Sequence, residues 1–214
     1  MNRVTRVATL LLTVMAGAGS LTAQVPTVSK GDVAVPDPTN AERLRTGMRK
    51  LWTDHVIWTR QYIVGAVADD PSASEAAKRL MKNQEDIGNA IVPYYGKEAG
   101  AKLTDLLKQH ISIAVDLVAG AKAKDDAKVK DADQRWHANA TDLATFLSGA
   151  NPNWKMDDVQ TMLNEHLALT TQGATARLEK NWAKDIETFD KILDQALHMA
   201  DALSDGISKQ FPKK

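Results

Sequence analysis

Apolar side chains at Leu103, Leu106, Leu107, Ile113, Ala114 and Leu117 recur at the three-and-four spacing of one helix face, and His110 sits in the middle of it. This pattern fits a helix and not a strand, which would alternate in twos, and no such alternation runs anywhere in the chain. His110 adds a second constraint. A helix that buries this face must find a partner for an imidazole where a leucine would have needed none.

The rest of the chain agrees with an all-α fold. With 43% hydrophobic residues, 25% charged and few aromatics, it suits a helical bundle better than a β-sandwich or a disordered tail. A length of 214 residues is enough to bury a sizeable core. Residues 1–23 read as a secretory signal peptide: Arg3 and Arg6 supply the positive start, Val7 to Ala16 the apolar stretch, and Leu21-Thr22-Ala23 a cleavage site. An uncleaved anchor is the alternative, although the apolar run is short for a membrane span and no later stretch is long enough. The expected location is the bacterial periplasm or the extracellular space. Without those residues the chain holds 25 basic against 27 acidic side chains, a balance that gives no reason to expect nucleic acid or an anionic membrane as partner. The absence of cysteine excludes disulfides, thiolate metal ligands and thiol nucleophiles.

Residues 24–38 carry three prolines without a period and read as an extended or disordered linker. A single helical domain is expected over 39–212. Thr39 and Glu42 have the spacing of a capping box, as do Ser72 and Glu75, and they open the first two of about six up-and-down helices. The first helix should present Met48, Leu51, Trp52, His55, Trp58, Thr59 and Tyr62 on one face. A turn at Pro93-Tyr94-Tyr95-Gly96 separates the second helix from the third. Gly149 to Asn153 ends the fourth, the fifth weakens near Gly173, and the sixth runs from about Trp182 to Asp205-Gly206.

An internal repeat links these helices. Asn83-x-x-Asp86 recurs 56 residues on as Asn139-x-x-Asp142, and Leu107-x-x-His110 recurs at the same step as Leu163-x-x-His166, with His55 preceding His110 by 55. The chain then reads as three αα-hairpins, each with a histidine in its first helix and a polar pair in its second, the last pair being Gln195 and His198. In an antiparallel bundle His55, Asp86, His110, Asp142, His166 and His198 can share one cross-section, supported by Asn83, Asn139 and Gln195. His137, beside Trp136, falls off the stripe and is expected on the surface.

Such a layer admits several roles. It can be a structural network in which the aspartates accept from imidazoles and the amides fix helix register. It can be a metal site for Zn, Cu or Fe, since neutral imidazole with carboxylate suits those ions, though His-Glu-x-x-His and Glu-x-x-His motifs are absent. A third possibility is a pocket for an apolar or aromatic ligand walled by Trp52, Trp58, Tyr62, Trp136 and Phe146, with haem as a special case. Enzymatic acid–base use of the layer is the least supported, because no nucleophile or phosphate loop is placed beside it. Arg60 could hold an anion, but pairing with a carboxylate is the plainer reading.

The segments from Leu51 to Arg60, Asn83 to Gly88, Pro93 to Gly96, Asn151 to Trp154, and Gly206 through Pro212 resemble an uncharacterised family of small bacterial exported helical proteins. Its members sometimes carry the labels acetylglutamate kinase or glycosyltransferase. Both activities belong to α/β nucleotide-binding folds, whose strand-loop-helix phosphate signature this sequence lacks. The resemblance brings no established ligand.

Overall fold

The structure, a computed structural model, describes residues 39–212, so the leader reading of residues 1–23 and the linker reading of 24–38 lie outside the described residues. Every regular element among the described residues is helical: α1 (Asn40–Val67), α2 (Ser72–Ala123), α3 (Asp126–Ala150), α4 (Met156–Leu178) and α5 (Trp182–Gln210). None of these helices is long and apolar enough to cross a membrane.

The first helix starts as its sequence requires. Thr39 Oγ1 accepts from the Glu42 amide at 3.2 Å while the Glu42 carboxylate accepts from the Thr39 amide at 2.6 Å. The box expected at Ser72 and Glu75 does not form. Asp70 lies two residues ahead of Ser72 and its Oδ1 takes the Ser72 amide at 2.8 Å, while Glu75 turns outward to Lys78 at 2.7 Å.

Three tight turns close in one way. Asp69, Lys124 and Lys180 adopt φ values of 57°, 55° and 58°, and the amide of the next residue reaches back to the carbonyl five residues earlier: Asp70 to Gly65, Asp125 to Gly120, Asn181 to Ala176, at 2.9, 3.0 and 2.9 Å. This left-handed stop satisfies a carbonyl that the helix end would otherwise orphan. The side chains of Asp70, Asp125 and Asn181 then each accept an amide of the following helix. The steps between these turns are 55 and 56 residues, the same as those between the histidines.

Five helices replace the expected six because the link at Pro93 to Gly96 is a single non-helical residue rather than a loop. Gly96, at φ 86° and ψ 170°, bends α2 into two arms. Twelve residues of straight helix would span about 18 Å, yet Gly88 and Gly100 touch across the bend. A methyl on Gly88 would lie 2.6 Å from the Gly100 carbonyl oxygen and 1.9 Å from Thr104 Oγ1. Backbone cannot move aside as a side chain can, so Gly88→Val is expected to lower stability by about 1–3 kcal/mol, read as a fall in the denaturant midpoint.

The later helix ends also outrun expectation. Helix α4 continues past Gly173 to Leu178 and α5 past Gly206 to Gln210, because packing outweighs the small helix penalty of glycine. At Gly206 the indole of Trp154 occupies the space a Cβ would need.

Helix α1 packs on α2 and α5, α2 on α3, α3 on α4, and α4 on α5, while α1 and α2 also touch α4. The contact between first and last helices carries four Arg–Asp pairs: Arg45–Asp205, Arg45–Asp201, Arg49–Asp201 and Arg60–Asp185. At one end of the bundle three segments that are distant in sequence meet. Tyr95 Oη donates to Gln210 Oε1 and accepts from Asn151 Nδ2, both at 2.8 Å, and its ring lies 5.3 Å from Phe211 and 5.9 Å from Trp154. The Pro93–Gly96, Asn151–Trp154 and Gly206–Pro212 segments thus form one cluster.

Candidate functional site

His55 on α1, His110 on the second arm of α2 and His166 on α4 are all buried, at 2%, 3% and 4% exposure. The His166 ring centroid lies 5.7 Å from that of His55 and 6.1 Å from that of His110. Trp52 and Trp136 flank the set, 5.6 Å from His55 and 5.1 Å from His110.

Each imidazole is held through Nδ1 by an amide side chain 29 residues further on. Nδ1 of His110 lies 2.9 Å from Asn139 Oδ1, Nδ1 of His166 lies 3.2 Å from Gln195 Oε1, and Nδ1 of His55 lies 3.3 Å from Gln84 Nε2. The amides are anchored in turn on the carbonyl four residues ahead of a histidine. Asn139 Nδ2 donates to Leu106 O at 3.0 Å and Gln195 Nε2 to Met162 O at 2.8 Å. Between α1 and α2 the two tasks are divided: Asn83 Nδ2 donates to Leu51 O at 3.0 Å, and the neighbouring Gln84 meets the His55 ring. All four amides are buried.

The other half of the expected layer lies elsewhere. Asp86 is partly exposed and pairs with Lys82 at 3.1 Å and Arg79 at 3.7 Å, while Asp142 and His198 are exposed. Each stands three residues beyond an inward amide, which turns it about 60° around the helix and onto the outer surface. The three buried imidazoles therefore meet amides and donate to none of these carboxylates, and the metal-ligand set read from the sequence is not assembled. Among the described residues, no group of three or more His, Asp or Glu side chains is gathered to hold a metal ion. His137 is exposed, as expected, with Nδ1 3.3 Å from Asn164 Oδ1.

The electrostatics follow from enclosure. Burial pushes the His110 imidazole down to about 3, with His166 adding to the effect and the Asn139 bond opposing it. Burial brings His166 down to about 4 against the Gln195 bond. His55 lies well below the usual imidazole range, chiefly through burial and then through His166 and His110. All three rings are neutral at pH 7.

Small voids lie along the helices on both sides of the histidines. One of about 30 Å³ is lined by Met48, Trp52, Leu103, Leu107 and Leu163 among others. Two of about 20 Å³ share Thr59, Ile63, Thr170 and Ala174, one of them reaching Tyr62 and Trp136 and the other His166. Each has room for about one or two water molecules, so none admits an aromatic ring without repacking. Trp58 and Phe146 are half-buried and line none of the three, Trp58 lying instead beneath the Arg79 guanidinium at 5.6 Å. The Thr59 and Thr170 hydroxyls, the Trp52 and Trp136 indole nitrogens and Gln84 Oε1 are buried without a partner among the described residues.

Two parts of this arrangement escaped sequence reasoning. Gln84 adjoins the more conspicuous Asn83 and breaks the repeat, since Ala140 and Ala196 hold its place 56 and 112 residues on. Asp185 is 1% exposed and accepts from Arg60 Nη1 and Nη2, with Arg177 Nη1 at 3.3 Å. The same repeat step would have flagged it, because Val129 and Ala73 stand at its equivalents. No family model, curated protein or solved structure matches this chain.

Proposed function

We propose that the chain is an exported, non-catalytic helical-bundle protein of three αα-hairpin repeats, in which the imidazole–amide layer fixes how the hairpins meet. The observation that carries this reading is a hydrogen-bond pattern made by one amide in two hairpins and shared between two neighbouring amides in the other: an anchor on the carbonyl four residues ahead of the histidine and a contact with that histidine's Nδ1. Slipping any hairpin by one turn would bury an unpaired amide and an unpaired imidazole, at roughly 1–3 kcal/mol for each group. An all-leucine core would tolerate the same slip far better. Enclosed, neutral rings suit bracing better than proton transfer at neutral pH. Export rests on the character of residues 1–23, and family membership on the segments that form the histidine layer and the Tyr95 cluster.

A second reading is favoured by one observation. Metal-binding histidines are commonly oriented through the ring nitrogen that does not bind the ion, and here all three rings are tied through Nδ1 with centroids 5.7 and 6.1 Å apart. Zn, Cu or Fe would then need His55, His110 and His166 to draw together from their present positions, in which they form no group gathered to hold an ion.

Elemental analysis of protein purified without an affinity tag separates the two. The structural reading predicts no stoichiometric metal and a melting temperature unchanged by chelator. It also predicts that His110→Leu loses about 1–3 kcal/mol by leaving Asn139 Oδ1 unpaired, and that adding Asn139→Leu restores most of the loss. Stoichiometric metal that disappears in His110→Leu would establish the second reading instead.

A further inference from the structure

The outer seam between α1 and α2 is filled by a cation. The Arg79 guanidinium lies over the Trp58 ring at 5.6 Å, and Asp54 and Asp86 each stand 3.7 Å from one of its nitrogens. Two lysines share those carboxylates, Lys50 on Asp54 at 2.6 Å and Lys82 on Asp86 at 3.1 Å. Further along the chain, 111 residues after Asp54 and Trp58 and 112 after Arg79 and Asp86, the outer seam between α4 and α5 carries Glu165, Leu169, Lys191 and His198. There the cation is withdrawn. Lys191 Nζ turns along its own helix to Glu187 at 2.5 Å, and a groove of about 290 Å³ remains, with Glu165, Leu169, Asp194 and His198 on its walls. The accompanying lysines are gone as well, since Thr161 stands 111 residues after Lys50 and Asp194 stands 112 after Lys82, reversing its charge. Glu165 and Asp194 form no ion pair with any described residue.

We propose that the α4–α5 groove is a docking site for an arginine side chain of a polypeptide partner, seated between Glu165 and Asp194 as Arg79 is seated between Asp54 and Asp86. The chain itself shows what this kind of seam accepts: a flat cation between two carboxylates, with its aliphatic stem against an apolar wall. Leu169 and Met162 supply that wall here. A guanidinium suits the place better than an ammonium because its planar fork matches carboxylate geometry. At about 290 Å³ the groove is small beside the pockets of about 300–1,000 Å³ that enclose drug-sized ligands, and it suits one long side chain. Free arginine is a poorer match. Its α-carboxylate would face Glu165 and Asp194, and Lys191 is already held by Glu187, whereas a peptide bond brings no such charge.

This binding role goes beyond the bracing role of the histidine layer and fails separately, because Glu165 and Asp194 are exposed and lie outside that layer. The probe is N-acetyl-arginine amide, which carries the side chain on a neutral backbone, and the readout is the ¹H–¹⁵N spectrum of the full chain. Saturable shifts are expected at residues 162–169 and 191–198 with a millimolar dissociation constant, since exposed ion pairs are individually weak. N-acetyl-citrulline amide, of the same shape without the charge, should produce none at the same concentration. Glu165→Gln with Asp194→Asn should abolish the arginine shifts, and Leu169→Trp, which restores the platform that Trp58 provides to Arg79, should tighten binding roughly two- to fivefold. Equal shifts with the citrulline probe, shifts confined to other helices, or shifts that survive the double change would overturn the proposal. Free L-arginine binding at least tenfold more tightly than the amide would overturn the assignment to a polypeptide. The comparison of the two probes on the wild-type chain decides even if a variant does not fold.

Discussion

Acidification is expected to unfold the protein below about pH 5, well before its carboxylates alone would do so. The folded chain holds three neutral imidazoles, with His166 brought down to about 4 and His110 to about 3, and His55 displaced in the same direction. In the unfolded chain the same rings take up protons near pH 6.5. Below that pH the unfolded state binds more protons, so stability falls as pH drops and continues to fall until the folded rings also protonate. Above about pH 7 the three rings contribute no slope. Each ring contributes at most about 1.4 kcal/mol per pH unit, so by pH 4 His110 and His166 each cost on the order of 3 kcal/mol. Total stabilities of single domains are only about 5–15 kcal/mol. Denaturant titrations at several pH values should show this slope between pH 6.5 and 4.5. Replacing His166 by Leu should flatten it by about one proton's worth, and a flat wild-type profile would count against the layer.

Arg60→Val is expected to destabilise the bundle by about 3–5 kcal/mol, and Arg60→Val with Asp185→Val to recover most of that loss. Asp185 is 1% exposed and Arg60 is its bidentate partner, while Arg177 reaches it through one nitrogen at 3.3 Å. Removing Arg60 leaves a buried carboxylate short of most of its compensation. The guanidinium also lies over the Phe189 ring at 5.1 Å, so packing is lost as well. The double change installs the residues found one sequence step away, since Val115 lies 55 residues after Arg60 and Val129 lies 56 before Asp185. A double-mutant cycle by chemical denaturation reads the coupling directly. Additive losses in the cycle would show that the pair is not coupled.

The all-helical fold was legible because long helices leave a strong period and their ends leave local chemistry, as at Thr39 and Glu42. Interhelical partners were harder to read. The repeat and an antiparallel packing put Asp86 and Asp142 in one cross-section with the histidines, about one helical turn from the amides that fill that role. Local sequence sets which face a residue occupies, but register between helices is set by packing, and a shift of three residues turns a side chain from core to surface. Carboxylate and imidazole look like natural partners in a sequence, yet an amide serves a neutral buried ring at lower desolvation cost. Gln84 and Asp185 share a different reason for being missed: both are departures from the repeat, and a search for agreement passes over the places where agreement fails. The bend in α2 was half legible, since Pro93 and Gly96 announced a break but the close approach of Gly88 and Gly100 is a tertiary fact.

The ring proton resonances of His55, His110 and His166, followed by NMR from pH 8 to pH 5.5, test the central claim most directly. Enclosed imidazoles tied to amides should hold their chemical shifts throughout that range. Shifts that move with a midpoint near 6.5, the value of a free imidazole, would place those rings in solvent and contradict the account.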